Sequence, residues 1–424
     1  MEINEKAMKE LVEKEKDDLF EKLSTLIKID SQNFGSHGNE QEIARFLAGE
    51  MKKLGYEPEV YSPLDVEGIT EHPDYYGGRH LEDRFNMSVV IPGSDHSRRL
   101  MIAAHNDTET VGALSNWTVK PFGGEIKDGK IWGRGACDDK YGIAAAWFLW
   151  DLFRKNGIVL PYDIVFTAYC DEEGGGGNGT LAACLKYPVD DAINLDCKNM
   201  EIWAGGAGGG CLNASFVTRE PVDNCEKLTD AIQIYREEMD VFRKRRHDEL
   251  MQHPMFAESI IPDTAVRFQS VKIGADLSLN GASAGLCFYT SSSEDEIRKE
   301  LDEIAENLTR RLDPLDILFN GFRLTTRFFH FAETEENNPV RDQLSRSVYE
   351  ISGRERKGIG SCLSDLPLFI HHASPRAVCF GVGRDFGEYG GAHQPDEFLE
   401  CDEMLIFTQV LADFLLHYAQ LPRG

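Results

Sequence analysis

Five short segments of the chain carry histidines and acids in patterns that could hold a divalent cation. In AAHNDT, His105 and Asp107 are separated by one residue. On an extended backbone positions i and i+2 point the same way, so the aspartate can accept the free ring N–H of a metal-bound histidine and set its tautomer. GRGACDDK presents Asp138 and Asp139 after two glycines, at the start of a helix where an aspartate could also serve as an ordinary cap. In AYCDEEGGGG the adjacent Glu172 and Glu173 point in different directions beyond a strand end, which suits one carboxylate for a cation and the other for a water beside it. The glycines that follow let the backbone turn away at positive φ. AINLDC closes on Asp196, and GGAHQPDEF puts His393 in a glycine-rich loop bounded by proline. Imidazoles and carboxylates without a thiolate form a nitrogen and oxygen set that suits zinc, manganese or cobalt.

These segments need a frame. NMSVVIP, RLMIAAH, YDIVFTAYC, AINLDC and RAVCFGVG read as apolar strands. NEQEIARFLAGEMKKLG, KYGIAAAWFLWDLFRKNG, TLAACLKY, NPVRDQLSRSVYEISG and DEMLIFTQVLADFLLHYAQL read as helices. The first of these helices is expected to start at Asn39 with a capping box to Glu42 and to end at Gly55. Alternating strands and helices predict an α/β fold with a mixed, largely parallel sheet flanked by helices. Four of the five segments then fall at carboxyl ends of strands, where open α/β sheets build their sites. After about Gly208 the texture changes to LNASFV, a polar helix from Asn224 to about Leu250, VRFQSVKIG, GLCFYT and the acidic helix EDEIRKELDEIAENLTRRL. This predicts a catalytic domain over 1–208 and 333–424, interrupted by a smaller α+β domain over 209–332.

Composition narrows the partners. In 424 residues, 45 basic against 72 acidic side chains leave a formal charge of −27, which argues against nucleic acid and anionic membrane surfaces. The longest apolar run, GIAAAWFLW, is too short for a bilayer, and the charged start MEINEKAMKELVEKEKDDLF lacks a signal-peptide core. The 10 cysteines include no C-x-x-C pair, so neither a zinc ribbon nor a thioredoxin-type motif is present and a cytoplasmic location is expected. Cys137, Cys170 and Cys197 lie beside candidate ligands and are expected to be buried packing residues.

The ordered run of HNDT, WTVKPFGGEIKDGKIWGRGACDDK, DEEGGGG, a strand-end acid and GGAHQPDEF resembles a dinuclear zinc metallopeptidase and deacylase family. That family includes acetylornithine deacetylase, succinyl-diaminopimelate desuccinylase, aminoacylase and cytosolic dipeptidases. The resemblance implies two divalent ions, zinc in the first place with cobalt or manganese as alternatives. It implies that Asp138 bridges them, that His105 and Asp196 complete one site, and that Glu173 and His393 complete the other. It further implies that Asp107 orients His105, that Glu172 is the general base, and that the Asp138–Asp139 peptide is cis. Aspartate at the position of Asp196 goes with dipeptidases and aminopeptidases of the family and glutamate with deacylases. A dipeptide or short peptide is therefore the expected substrate, an N-acyl amino acid the alternative, and a non-catalytic ligand-binding relative the last reading.

The inserted domain departs from the family. Its early stretch FVTREPVDNCEKLTDAI lacks the histidine with which relatives steady the oxyanion in the partner subunit. Ser278 and Ser291, or Asn280 close by, stand where relatives carry an Asn and an Arg for the substrate carboxylate. His247, His253 and His330 are expected to be ordinary helix or strand residues. Substrate-binding residues therefore stay unassigned, and the homodimer that the resemblance implies through this lid domain depends on the same altered segment. His371 and His372, in FIHHAS, look like a metal pair but have no place in the family pattern, while Asp365 in SDLP resembles a loop near the family's site.

Overall fold

The computed structural model describes residues 5–220, 225–274 and 280–422. The chain divides into two compact units, one comprising Met1–Ala204, Thr334–Gly358 and Leu368–Gly424, the other Gly205–Glu333 and Ile359–Pro367. Ser278 lies outside the described residues.

In the first unit the strands form along short apolar runs, Asn86–Ile91 and Asp163–Tyr169 being rich in β-branched or aromatic residues. Their order across the sheet is Glu59–Tyr61, Asn86–Ile91, Asp163–Tyr169, Arg99–His105, Asp191–Asn194, Val378–Phe380 and Ile202–Gly206. The four strands from Asp163–Tyr169 to Val378–Phe380 run parallel, and antiparallel strands flank them on both sides. Every residue of Asp163–Tyr169 is buried, as a central strand covered on both faces requires. The helix Lys140–Asn156 is apolar almost all round and buried from Lys140 to Phe153. It stops at Gly157, whose φ of 63° lets its N–H reach back to the carbonyls of Phe153 and Arg154. The helix Lys16–Ile27 packs on it, and Pro339–Ser352 packs on Cys401–His417.

Two local expectations are corrected. The helix Glu40–Lys53 forms, yet Asn39 sits at φ −110°, ψ 24° and its side chain caps nothing, because an N-cap oxygen reaches the first turn only from an extended backbone. A capping box forms instead at Ser293 and Glu296, where Ser293 is extended at φ −67°, ψ 160°. Asp139 likewise precedes its helix without capping it, its carboxylate accepting the His105 N–H at 3.2 Å.

The second unit has a four-stranded antiparallel sheet in the order Val266–Ile273, Gly281–Thr290, Gly208–Thr218 and Ile317–Leu324. Burial alternates along Gly208–Thr218, so Leu212, Ala214 and Phe216 enter the core. Helices Cys225–Leu250 and Glu294–Leu312 cover that face with Leu228, Tyr235, Met239 and Phe242, and with Ile297, Leu301, Ile304 and Leu308. The spacings of three and four residues are those of one helical stripe.

Candidate metal centre

The carboxyl ends of the parallel strands gather the segments singled out above. His105 is the last residue of Arg99–His105 and fully buried. Asp171, Glu172 and Glu173 follow Asp163–Tyr169, and Asp196 stands two residues past the end of Asp191–Asn194. Asp138 lies between His105 and His393. Its Oδ1 is 3.0 Å from His105 Nε2 and its Oδ2 is 3.1 Å from His393 Nε2. His393 Nε2 is also 3.0 Å from Glu173 Oε2. The Asp138–Asp139 peptide is cis.

Asp107 contacts both His105 and the glutamate loop. The nearest acceptor to His105 Nδ1 is the main-chain carbonyl of Asp107 at 2.9 Å, with its carboxylate at 3.5 Å. That carboxylate is turned toward donors on the other side, accepting from Asn33 Nδ2 at 2.7 Å and from the N–H groups of Glu172 and Glu173 at 3.2 and 2.9 Å. One aspartate thus ties the histidine to the loop carrying both glutamates.

The electrostatics suit added positive charge. Burial disfavours a charged His105, but Asp107 and Asp138 outweigh it and hold the ring's pKa well above its ordinary value. His393 is raised in the same way, with Glu173 and Asp138 opposing burial. Burial alone would raise Asp138, yet the two imidazoles hold it below the usual carboxylate range. Each half of the cluster supplies three ligand atoms within 4.8 Å of one another, His105 with Asp138 and Asp196, and Glu173 with His393 and Glu109. A partly buried set of imidazoles and carboxylates, each imidazole facing carboxylate oxygens, fits a pair of divalent ions.

Several supporting residues had no signal in the sequence. Glu109 donates its N–H to Glu173 Oε1 at 2.9 Å and brings a carboxylate to the same half-site. Arg134 pairs with Glu397 at 2.6 Å and donates to the His393 carbonyl at 3.2 Å, while Glu397 also accepts the Cys137 N–H at 2.8 Å. This stitches GRGACDDK to GGAHQPDEF. The buried thiols of Cys137, Cys170 and Cys197 are pushed up by burial, in keeping with packing residues.

The glutamate loop is anchored from behind. Asp171 is fully buried at φ 63°, and it accepts from Arg79 Nε at 2.5 Å, Arg84 Nη1 at 2.7 Å and Asn178 Nδ2 at 2.9 Å. Arg84 also donates to Glu40, Asn33 and the Gly35 carbonyl. Burial pushes the Glu40 carboxyl up to about 8, with Asp107 acting the same way and Arg84 against it, so Asp171 is the principal counter-ion of Arg84. Removing one partner of a buried pair strands the other, and Arg84→Ala is expected to lose about 3–5 kcal/mol of stability. A chemical denaturation midpoint equal to that of the parent would contradict this.

Asp196 is positioned by Tyr141. The Tyr141 hydroxyl lies 2.6 Å from the carbonyls of both Leu195 and Cys197, the residues flanking Asp196, and donates to one at a time. Gly381 must be glycine here, since a Cβ would stand 2.1 Å from that hydroxyl. Tyr141→Phe is expected to lower stability by about 1–3 kcal/mol, the cost of an unsatisfied buried acceptor. It is also expected to lower kcat more than it raises KM, measured with any turned-over substrate.

The histidines of the inserted region are all in the second unit. His247 pairs with Asp248 and Asp263, and His253 with Glu333 at 3.1 Å. Ser291 donates its N–H to Glu249 at 2.7 Å, and Asp365 accepts from Arg327 at 2.6 Å. His330 is partly buried beside Phe328.

Residues 101–417 match the model of Peptidase family M20/M25/M40. The chain is 29% identical to an N-formyl-4-amino-5-aminomethyl-2-methylpyrimidine deformylase of Bacillus subtilis, over 97% of each chain. It is 32% identical to an uncharacterized metallohydrolase of Methanocaldococcus jannaschii, over 92% of this chain and 97% of that one. Among solved structures it is similar to human carnosine dipeptidase 1, with a TM-score of 0.71 at 14% identity over 99% of this chain and 100% of that one. At that identity the likeness concerns the fold.

Proposed function

Since the chain belongs to Peptidase family M20/M25/M40 and is a metal-dependent hydrolase, we propose that the His105, Asp138 and His393 cluster is its dinuclear centre for amide hydrolysis. The observation that carries this reading is the single carboxylate of Asp138 set between two imidazoles on opposite oxygens. Asp138 would be shared between the two positions, with His105 and Asp196 holding one ion and Glu173 and His393 the other. The best-fitting ion is zinc, with cobalt or manganese as substitutes. When bound, the ions supply Lewis acidity to a water and to the scissile carbonyl. Asp107 fixes the His105 ring and the backbone of the glutamate loop. Glu172, whose N–H is held by Asp107 and whose charge reaches His105, takes the proton of the attacking water and delivers it to the leaving nitrogen. No covalent bond to the protein forms.

The substrate we favour is a free dipeptide or short peptide, on the strength of the aspartate at position 196. The second reading is removal of an N-acyl group, favoured by the full-length likeness to a deformylase. Parallel assays of free dipeptides and of N-formyl and N-acetyl amines, with zinc, manganese or cobalt added, separate the two. Turnover of dipeptides with a free amino terminus supports the peptidase. Turnover confined to acylated compounds assigns the chain to the deacylases.

A further inference from the structure

Among the described residues, a third group of metal-type side chains shares no member with the centre above: His72, Asp74 and His372. His72 and Asp74 belong to the connection between strands Glu59–Tyr61 and Asn86–Ile91, and His372 closes the helix Leu366–His372. One donor atom of each lies within 4.8 Å of the other two. Asp74 Oδ2 is 2.6 Å from His372 Nε2, and the rings of His72 and His372 meet edge to face at 4.8 Å between centroids. We propose that His72, Asp74 and His372 form a separate binding site for a divalent cation of the zinc class, whose work is to brace the loop that carries them.

Chemistry and geometry both support it. Two imidazoles and one carboxylate make a three-ligand zinc set, with the fourth tetrahedral position left to water. Bonds of about 2.0–2.2 Å put tetrahedral donors roughly 3.3 Å apart, so rotamer-scale movement closes a 4.8 Å triangle. A cation would draw His72 inward and spread the Asp74–His372 pair. The Nδ1 of His72 accepts the Asp74 N–H at 3.2 Å, a long contact that a metal bond can replace. The Asp74 and His372 side chains are 15% and 17% exposed, sheltered yet within reach of solvent.

The frame beneath these ligands is fixed. The His72 N–H bonds to the Ile69 carbonyl at 3.1 Å and its carbonyl accepts from Tyr75 at 3.0 Å. Asn178 grips both the N–H and the carbonyl of Tyr76, at 3.0 and 3.1 Å. Beyond the helix end, the N–H groups of Ala373 and Ser374 turn back to the Phe369 carbonyl at 2.9 Å. Ligands on a held backbone are what a metal site needs. The same loop continues into Arg79 and Arg84, the two guanidinium groups that grip Asp171.

The test is zinc stoichiometry of the full-length protein, stripped with a chelator, dialysed against zinc and read by inductively coupled plasma mass spectrometry. His372→Gln and Asp74→Asn are each expected to hold one zinc fewer than the parent while keeping its turnover. A His105→Ala/His393→Ala chain is expected to retain one zinc and to lose it when His372→Gln is added. Equal zinc in the parent and in the His372→Gln and Asp74→Asn chains would overturn the proposal. A parent holding one zinc, lost in His372→Gln but kept in His105→Ala/His393→Ala, would uphold this site and sink the dinuclear reading instead. On the unaltered chain, added zinc is expected to reduce diethyl pyrocarbonate labelling of His72 and His372 several-fold, and unchanged labelling would also overturn the site.

Discussion

Glu172→Gln is expected to keep the metal content and denaturation midpoint of the parent while its turnover falls by about 10²- to 10⁴-fold, the range of a lost general base. The substitution preserves shape and removes only the ability to take a proton. Metal should stay because Glu172 is in neither of the two ligand groups, whose acids are Asp138, Asp196, Glu173 and Glu109. The fold should stay because the loop is held through main-chain N–H groups on Asp107 and through Asp171, neither of which uses the Glu172 side chain. The readouts are metal per chain and kcat on one preparation. Parent-like turnover would remove Glu172 from the mechanism, and loss of metal would make it a ligand.

Asp138→Ala is expected to abolish turnover and empty both metal positions, the larger of the two effects on metal. Its two oxygens face two different imidazoles, so no other side chain of the cluster serves both halves. His393→Ala makes the informative comparison. It removes a ligand from one half only, and the chain is expected to keep the ion at His105 and Asp196. Equal metal loss in the two variants would show that the halves fill together, and two retained equivalents in Asp138→Ala would refute the shared carboxylate.

Much of this proposed centre was legible because its candidate residues lie just past apolar strands, and an apolar run ending in acids is a local pattern. His105, Glu172, Glu173 and Asp196 could be found that way, as could the helix Lys140–Asn156 from its composition and its closing glycine. The sequence indicates only part of the surroundings of Asp107. The i and i+2 geometry indicates its nearness to His105, but its carboxylate is drawn to Asn33 and to two main-chain N–H groups supplied by other segments. The capping motifs show the same limit. Asn39 with Glu42 and Ser293 with Glu296 have the same spacing, and only the backbone angles at the first residue decide which box forms.

By itself, then, the sequence determined the alternation of strands and helices, the polar α+β interruption, and the kinds of atom available to a cation. These depend on side-chain period and local chemistry, which a linear pattern carries. The tertiary structure alone decided which acids face which histidines, that Arg84 and Tyr141 hold Asp171 and the backbone around Asp196, and that Asp74 meets a histidine 298 residues away. Each of those contacts joins segments far apart in the chain. The identity of a buried group's partner is set by how the sheet and helices pack, a property of the whole chain that no short stretch of it contains.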